Sequence, residues 1–273
     1  MPELPEVEMV VRGLRPDMVG RTFTGADVRW ARELVDHSPD SFAARLTGQH
    51  VDAMRRRAKY IIFELSDDYL LVHLKMTGRL YVSQPEDRAE ADNYLRVVMF
   101  LDDGRELRFS DMRKFGRVYL VASLDSVLAK LGPEPLEDDL TLEAFKERLV
   151  NRSGAIKPLL LNQTFVAGIG NIYADEALWH ARIDPRRKAD TLDGDEVARL
   201  HGAIRRVLQD GIDAEGSTFN WYRKPDGTSG EYQKQFRAYD REGQPCLRCG
   251  TPIEKIRLAQ RGTHFCPNCQ NKG

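Results

Sequence analysis

Two pairs of cysteines near the C-terminus restrict the fold of this 273-residue chain more than any other part of its sequence. Cys246 and Cys249 form the first pair, Cys266 and Cys269 form the second, and sixteen residues separate them. A Cys-x2-Cys pair is typical of a knuckle that places two thiolates on one tetrahedral zinc ion. Because four thiolates leave no open position for water, the pattern predicts one structural zinc ion that shapes a hairpin.

Composition limits the remaining classes of protein. With 41% hydrophobic and 30% charged residues, the chain is expected to fold into globular domains, and its length suits two of them. The richest apolar run, Tyr60–Leu65, is too short to span a bilayer, so we expect a cytoplasmic protein without a membrane partner. The formal net charge is −1, so a nucleic-acid site must be a local patch. Taken alone, the basic run Arg55–Lys59 is more typical of a solvated face.

Short β-rich runs between turn signals fill the first half of the chain and predict a β-sandwich or barrel. The runs are Tyr60–Leu65, Tyr69–Met76, Leu80–Ser83, Leu95–Leu101, Glu106–Phe109 and Arg117–Val121. Asp102–Gly104 has the composition of a hairpin turn between two of them. Ahead of these runs, apolar residues recur at helical spacing from Val7 to Leu14, which predicts a helix close to the N-terminus.

Helical patterns dominate after Leu131–Pro135, whose two prolines predict an interdomain linker. Asp193 and Glu196 resemble a capping box at the start of a long helix. Asn171 follows two glycines in a tight-turn sequence and is predicted to cap the helix after it. The polar segment Glu215–Gln233 lacks a sustained period and predicts a mobile loop.

Seven motifs, spread in order along the chain, together resemble those of bacterial formamidopyrimidine-DNA glycosylase. They are Met1–Val7, Arg56–Tyr60, His73–Gly78, Asp111–Gly116, Gly132–Pro135, Gly168–Tyr173 and Arg261–Pro267. The resemblance implies an α+β fold in three parts. These are an N-terminal catalytic β-sandwich domain with a leading helix (1–131), a helix-two-turn-helix domain with a lesion-capping loop (132–235), and a four-cysteine zinc finger (236–273).

The activity implied by this resemblance is that of a bifunctional glycosylase and lyase of base excision repair. Such an enzyme removes oxidised purines, 8-oxoguanine and formamidopyrimidines among them, from double-stranded DNA and then nicks the abasic site by β,δ-elimination. The family also implies a monomer that holds DNA in the cleft between its two halves and uses no small-molecule organic cofactor.

The opening residues carry the implied chemistry. Removal of Met1 leaves Pro2 with a secondary amine, and an α-amino pKa of about 7.7 to 8.0 leaves a nucleophilic fraction at neutral pH. By resemblance, Pro2 attacks C1′ of the damaged nucleotide and forms a cationic Schiff base that drives β-elimination. Glu3 then matches the acid that protonates the sugar ring oxygen, and Glu6 supports proton transfer or the N-terminal helix. Glu8 is read as a solvated helix residue.

Two cationic residues complete the implied catalytic set. Lys59 matches the family lysine that serves in β-elimination, although Ala58 stands where the family usually has glycine. Arg261 is expected at the turn of the zinc-braced hairpin, where guanidinium and backbone N–H groups suit a phosphate. By resemblance, Arg261 serves in δ-elimination and phosphate binding.

Extrusion of a nucleotide leaves a hole in the duplex that the enzyme must fill. By resemblance, Met76 and Phe115 wedge the base stack and Arg113 pairs with the orphaned cytosine, whereas without the resemblance Met76 and Phe115 are more typical of core residues. The further DNA-binding candidates are Lys114, Arg152, Lys157, Asn171 and Asn93. The family's usual histidine near Asn93 is absent, and Phe219–Pro225 departs from the commoner family sequence of the lesion-capping loop.

Two other functions are weighed against this one. The sister glycosylase class removes oxidised pyrimidines and shares Pro2 and Glu3, but Leu4 and Phe115 argue against it. A catalytically silent DNA-binding zinc protein is disfavoured because binding alone does not require the implied catalytic residues around an unblocked N-terminal amine.

Overall fold

The computed structural model describes residues 1–84, 92–218 and 224–270, and the chain divides into two compact units. The first unit comprises Met1–Ala129 and Glu215–Gly230, and the second comprises Lys130–Ala214 and Glu231–Gly273. The boundary at residues 129 and 130 lies beside the predicted linker. The division of the chain into three domains stays a prediction. Segment 215–230, which was expected to belong to the helix-two-turn-helix domain, packs with the first unit.

The first unit is a β-sandwich with a leading helix. Its helices are α1 (Leu4–Met18), α2 (Pro39–Leu46) and α3 (Asp125–Leu128), with a 3-10 turn at Ala31–Glu33. Its strands are β1 (Phe23–Val28), β2 (Leu34–Val35), β3 (Val51–Arg57), β4 (Tyr60–Leu65), β5 (Tyr69–His73), β6 (Gly78–Ser83), β7 (Leu95–Leu101), β8 (Glu106–Asp111) and β9 (Arg117–Val121). All six β-rich runs recognised in the sequence coincide with one of these strands over at least four residues.

The strands form a four-stranded sheet in the order β1-β7-β8-β6 and a five-stranded sheet in the order β2-β9-β5-β4-β3. Neighbouring strands are antiparallel except for β2 and β9, which are parallel. The hairpin predicted at Asp102–Gly104 joins β7 to β8, and Gly104 has a φ of +85° that glycine adopts without strain. The sequence patterns left β1, β3 and α2 unassigned because charged residues interrupt their apolar positions, as in the three arginines of β3, and they left β2 unassigned because it has only two residues.

One apolar core joins the two sheets and helix α1. Val97 and Phe109 from the four-stranded sheet, Phe63 from the five-stranded sheet and Val7 from α1 are all fully buried in the same cluster. Burying such side chains stabilises the fold by about 1.5 to 3 kcal/mol each. This core fixes α1 against the sheets and therefore fixes the N-terminal residues that precede it.

The second unit is helical and carries a β-hairpin. Its helices are α4 (Leu142–Leu149), α5 (Ile156–Leu161), α6 (Asn171–Ala181) and α7 (Gly194–Asp213), and its strands are β10 (Glu254–Leu258) and β11 (Arg261–Phe265). Short 3-10 turns lie at Ala189–Thr191 and Tyr232–Gln235. The capping box at the start of α7 is confirmed, because Asp193 accepts from the Glu196 N–H at 2.8 Å and Glu196 accepts from the Asp193 N–H at 3.0 Å. The α+β prediction is thus confirmed in both units.

Two local predictions in this unit were wrong by one or two residues. Gly170, not Asn171, is the cap of α6, so Asn171 is the first helical residue and its side chain is available for a tertiary contact. The hairpin turns at Ala259 and Gln260, whose φ angles are +45° and +63°, as a two-residue turn between right-twisted strands requires. Arg261 therefore opens strand β11 instead of occupying the turn.

The described helices include none with the length and apolarity needed to cross a bilayer. Between helices α5 and α6, Gly168 adopts a φ of +87°, which supports the tight turn predicted there. Of the predicted loop Glu215–Gln233, residues 219–223 lie outside the described residues, and so does most of the atypical stretch Phe219–Pro225.

Candidate functional site

The N-terminal residues of the first unit form a buried cluster of carboxylates and cations. Pro2 is buried, and Glu3, Glu6 and Lys59 are only 2%, 2% and 4% exposed. Glu3 caps α1, and Glu6 closes a capping box because its Oε2 accepts from the Glu3 N–H at 2.8 Å. The capping box fixes the backbone direction of the first three residues.

Glu6 also ties this cluster to the segment that returns to the first unit. Its second oxygen, Oε1, accepts from the Ser217 N–H at 2.8 Å. Both Glu6 oxygens are thus engaged by backbone N–H groups, one at the N-terminus and one at the base of the predicted lesion-capping loop. The arrangement favours the supporting role expected for Glu6 over proton transfer, because both of its oxygens already accept hydrogen bonds from backbone donors.

The charged residues of this cluster and its burial both affect the pKa of the N-terminal amine. Burial lowers the pKa of the N-terminal amine, Glu3 and Glu6 act to raise it, and Lys59 and Arg113 act to lower it further. A lowered pKa increases the neutral, nucleophilic fraction of an amine at neutral pH. This amine belongs to Met1, and removal of Met1 would leave the amine function on the adjacent buried Pro2.

The turn between β3 and β4 places Lys59 beside the N-terminus. Ala58, where the family usually has glycine, adopts a φ of +53° and is 1% exposed, so alanine is held in the left-handed conformation that glycine adopts freely. Arg56 donates to the Ala58 carbonyl at 3.2 Å and pairs with Glu8 at 3.0 Å. The reading of Glu8 as a solvated residue was wrong, because Arg56 and Arg12 both donate to its carboxylate and hold its pKa below the ordinary value.

Three residues predicted to fill the duplex are presented on the surface of the first unit. Met76 is 36% exposed and Phe115 is 48% exposed, so neither is the core residue that its chemistry alone would favour. Arg113 is exposed and its guanidinium carbon lies 4.8 Å from the centroid of the Phe115 ring. Exposed large apolar side chains, of which Phe115 lies against an arginine, are suited to insertion between bases.

The Met76 turn is shaped by a buried histidine that the sequence analysis did not single out. The Nδ1 of His73 accepts from the Lys75 N–H at 3.0 Å. Burial, with smaller effects of Lys75 and Lys59, lowers the pKa of His73 to about 3. His73 is therefore neutral at physiological pH, with its proton on Nε2, and supports the turn that exposes Met76.

The remaining DNA-binding candidates of the first unit are also exposed. The Lys114 ammonium lies 3.8 Å from the centroid of the Trp30 ring, a cation–π contact that sequence spacing did not reveal. Asn93 is exposed in the turn before β7. In the second unit, Arg152 is exposed just after α4.

Lys157 lies in the interior of the second unit, whereas a residue that binds a DNA phosphate is expected at the surface. It is fully buried, and its Nζ lies 2.6 Å from Asp175 Oδ1. Nζ also donates to Thr263 Oγ1 at 2.8 Å and to the Gly262 carbonyl at 3.0 Å. This geometry favours a role for Lys157 in holding strand β11.

The same strand is held from two further points. Asn171 donates from Nδ2 to the Gly262 carbonyl at 3.0 Å, and Asp175 accepts from the His264 N–H at 2.9 Å. Arg261, which precedes these anchored residues, is exposed. Two α6 residues and one α5 residue therefore fix the backbone that presents the Arg261 guanidinium to solvent.

A second buried acid of α6 holds the backbone of residues 237–239, which precede the first cysteine pair. Glu176 is completely buried and accepts from the N–H groups of Arg237, Ala238 and Tyr239 at 2.8 to 2.9 Å. Burial raises the pKa of Glu176 to about 7, opposed by these hydrogen bonds. The adjacent acids Asp175 and Glu176 carried no motif signal, because their partners, the Lys157 side chain and backbone N–H groups of residues 237–239 and 264, are distant in sequence.

The four cysteines converge as predicted. Their sulfur atoms all lie within 4.8 Å of one another, and none of the four is in a disulfide. Tetrahedral coordination with Zn–S bonds of about 2.3 Å requires sulfur atoms about 3.8 Å apart. Cys249 and Cys266 lie 3.5 Å apart, and the Cys269 N–H donates to Cys266 Sγ, as in a zinc knuckle. The set fits one structural zinc ion.

Comparison with known proteins agrees with this geometry. Family models match the chain in three parts: the formamidopyrimidine-DNA glycosylase N-terminal domain (1–118), the formamidopyrimidine-DNA glycosylase H2TH domain (131–222) and the zinc finger found in FPG and IleRS (243–272). A formamidopyrimidine-DNA glycosylase of Symbiobacterium thermophilum is 49% identical, covering 99% of this chain and 89% of the relative. The same-named protein of Herpetosiphon aurantiacus is 48% identical, covering 99% and 100%.

Solved structures extend the similarity to three dimensions. A Lactococcus lactis FPG mutant in complex with Fapy-dG-containing DNA matches with a TM-score of 0.92 and 37% identity, covering 99% of this chain and all of that one. A MutM structure with carbocyclic 8-oxo-G-containing DNA matches with a TM-score of 0.91 and 39% identity, at the same coverage. The chain therefore belongs to the formamidopyrimidine-DNA glycosylase family.

Proposed function

We propose that this chain is a base-excision-repair enzyme that removes oxidised purines from double-stranded DNA and then cleaves the abasic site. Relatives named as formamidopyrimidine-DNA glycosylases and complexes with Fapy-dG- and 8-oxo-G-containing DNA support this substrate class. The observation that carries the proposal is the position of the buried Pro2 in the N-terminal cluster, where Glu3, Glu6 and Lys59 are almost completely buried. A cytoplasmic location, on DNA, and a monomeric state are parts of the same proposal.

The reaction begins at Pro2 once Met1 is removed. The neutral amine attacks C1′, the N-glycosidic bond breaks, and the base leaves with the bonding electrons and takes up the proton that the Pro2 nitrogen gives up. Glu3 protonates the ring oxygen as the C1′–O4′ bond opens, which gives an iminium between Pro2 and C1′. The burial of Pro2 and the fixed Glu3 backbone support this assignment.

Strand cleavage follows from the cationic iminium. The iminium acidifies the C2′ proton, Lys59 assists its removal, and the 3′-phosphate leaves with the electron pair in β-elimination. The second elimination releases the 5′-phosphate, with Arg261 neutralising its charge. Met76, Arg113 and Phe115 fill the space that the extruded nucleotide leaves, and Lys114, Arg152 and Asn93 contact the DNA backbone.

Zinc serves structure in this scheme. When bound, the ion cross-links the cysteine knuckles, and the chain's own residues on β11 present Arg261. Lys157, Asp175 and Asn171 support that strand from the interior.

Borohydride trapping tests the proposal. Protein whose Pro2 terminus is verified by mass spectrometry should give a covalent adduct with duplex DNA that contains 8-oxoguanine opposite cytosine. A matched preparation that retains Met1 should fold but give no adduct, because its Pro2 nitrogen is an amide. Absence of an adduct from the Pro2-terminated protein would contradict the proposal, and faster reaction with a panel of oxidised pyrimidines would favour the sister glycosylase class.

A further inference from the structure

We infer that Asp111 is the positioning residue that fixes both loops of the duplex-filling wedge (Met76, Arg113 and Phe115) as one rigid unit. The inference rests on the proposed function, since it concerns how that wedge is held. It adds a residue that does not itself reach the DNA and whose side chain is buried among backbone donors.

Asp111 lies at the end of strand β8 and is completely buried. One of its oxygens, Oδ2, accepts from the Phe115 N–H at 2.8 Å and from the Gly116 N–H at 2.8 Å. The other oxygen, Oδ1, accepts from the Arg113 N–H at 3.2 Å. One carboxylate therefore holds three backbone N–H groups of the loop that carries two wedge residues.

The same carboxylate reaches the other wedge loop. The Thr77 hydroxyl, next in sequence to Met76, donates to Asp111 Oδ1 in a short hydrogen bond, and the Arg113 N–H lies 3.1 Å from that hydroxyl oxygen. Thr77 thus bridges Asp111 and the Arg113 backbone. The two loops are distant in sequence, and this pair of side chains locks one to the other.

The backbone on either side gives the anchor little freedom. Arg96 donates from Nε to the Asp111 carbonyl at 2.9 Å, and the Asp111 N–H donates to the Tyr94 carbonyl at 2.8 Å. At Gly116 an added Cβ would lie 2.3 Å from the Phe109 ring, so the end of the loop lies directly against the core. The anchor is rigid while the residues that it positions are exposed.

Rigidity of the wedge matters because inserting it into a duplex costs the free energy of unstacking bases. A loop that has to be ordered upon insertion loses conformational entropy at that moment, whereas a preorganised loop does not. Changing Asp111 to asparagine replaces one acceptor oxygen by a donor, so either the Phe115 and Gly116 N–H groups or the Arg113 N–H and the Thr77 hydroxyl lose their acceptor, and the two loops are held less tightly. Loss of Asp111 should therefore impair extrusion of a stacked nucleotide more than it impairs the covalent chemistry at the N-terminus.

Asp111→Asn, compared with wild type, separates these effects. Two quantities are measured: the single-turnover rate constant for excision from an 8-oxoguanine–cytosine duplex, and the yield of borohydride trapping on a single-stranded abasic oligonucleotide. The oligonucleotide has no base stack to open, so its trapping yield reports the folded, nucleophilic fraction of the protein. The excision rate constant is then divided by this yield. We expect this ratio to fall about tenfold or more in Asp111→Asn. Asp103→Asn, a matched change at an exposed acid of the β7–β8 turn, should keep the wild-type ratio.

A spectroscopic readout follows the wedge itself. A duplex with an abasic analogue and 2-aminopurine beside the opposite cytosine should brighten when wild-type protein unstacks it, and the amplitude should fall in Asp111→Asn at saturating protein. Thr77→Val removes only the bridging hydroxyl and should lower the same ratio and amplitude by a smaller factor. If Asp111→Asn does not fold, Thr77→Val is the variant that tests whether the two loops are locked together.

The outcomes distinguish the inference from the function on which it rests. Wild-type protein that traps no abasic DNA would contradict the proposed function. Normal trapping by wild type together with wild-type ratios and amplitudes in the variants that fold would overturn the role of Asp111 and leave the proposed function intact.

Discussion

At the residue scale, the buried carboxylates of the first unit differ in their hydrogen-bond partners, and this difference decides their roles. Glu6 accepts from the N–H groups of Glu3 and Ser217, each at 2.8 Å. The Glu33 carboxyl is also buried, but among the described residues neither of its oxygens has a hydrogen-bond partner. Two acids of the same type thus meet opposite environments: backbone donors engage both oxygens of Glu6, whereas the Glu33 oxygens have no hydrogen-bond partner among the described residues.

Glu33 predicts a pH-dependent stability. Burial first, and then the charge of Asp111, raises the pKa of Glu33 from 4.5 to about 8, while Arg96, Arg117 and Lys114 oppose the rise. The folded state then binds a proton that the unfolded state releases between these pH values, so this contribution is complete below pH 4.5 and is lost as the pH rises toward 8. The slope from this group is at most about 1.4 kcal/mol per pH unit.

Urea unfolding at several pH values within this window measures the effect. Glu33→Gln, which is neutral at every pH, should remove the slope and should gain stability relative to wild type as the pH increases. Equal slopes for wild type and Glu33→Gln would show that Glu33 ionises normally in the folded protein.

Glu6→Gln tests whether Glu6 positions the catalytic residues or transfers a proton. The amide keeps one acceptor, so the capping box weakens and we expect a stability loss of about 1 kcal/mol with an adduct yield reduced several-fold. The pH–rate profile of the variant should keep its wild-type shape, because a positioning residue contributes no titrating step. Disappearance of one limb of that profile would instead assign proton transfer to Glu6.

At the element scale, the hairpin that carries Arg261 depends on interior contacts as much as on zinc. Lys157 on α5, with Asn171 and Asp175 on α6, contacts residues 262–264 of β11. Sequence patterns predicted α6, the capping box of α7 and the cysteine knuckles, because each of these depends on neighbours a few residues away. They misplaced Arg261 at the turn because the turn position depends on φ angles at Ala259 and Gln260.

Lys157→Met tests the interior role. Removing the ammonium leaves the fully buried Asp175 without its cationic partner, which typically costs about 3 to 5 kcal/mol. We expect a marked drop in melting temperature and a loss of strand cleavage, whereas Lys146→Met on the exposed face of α4 should change neither. A variant with unchanged melting temperature and a smaller salt dependence of DNA binding would instead support a direct phosphate contact.

At the scale of the whole molecule, two units each have their own apolar packing. The first unit contains the sandwich core with Val97, Phe63 and Val7, and in the second unit the cysteines pack with Trp179 and Ile253. The formal net charge of −1 gives no overall attraction to DNA, so affinity must come from local cations such as Arg113, Lys114 and Arg261.

Zinc removal should therefore act on one part of the molecule. We expect elemental analysis to find about one zinc per chain, and a strong chelator to expose the cysteine region to proteolysis while Met1–Ala129 stays protected. Strand cleavage should fall with the zinc content, because the hairpin that presents Arg261 loses its brace. Undenatured protein without zinc, or a cysteine region that resists protease after chelation, would contradict the four-thiolate assignment.

By itself, the sequence determined the features that depend on local spacing or on short motifs. The zinc knuckles, the hairpin at Asp102–Gly104, the N-terminal helix and the family follow from residues that are close together or stand in order along the chain. The tertiary structure alone decided that Lys157 faces Asp175, that Glu6 reaches Ser217, and that Asp111 joins two wedge loops. These contacts join residues far apart in sequence, and burial in a shared core, which no local pattern encodes, brings them together.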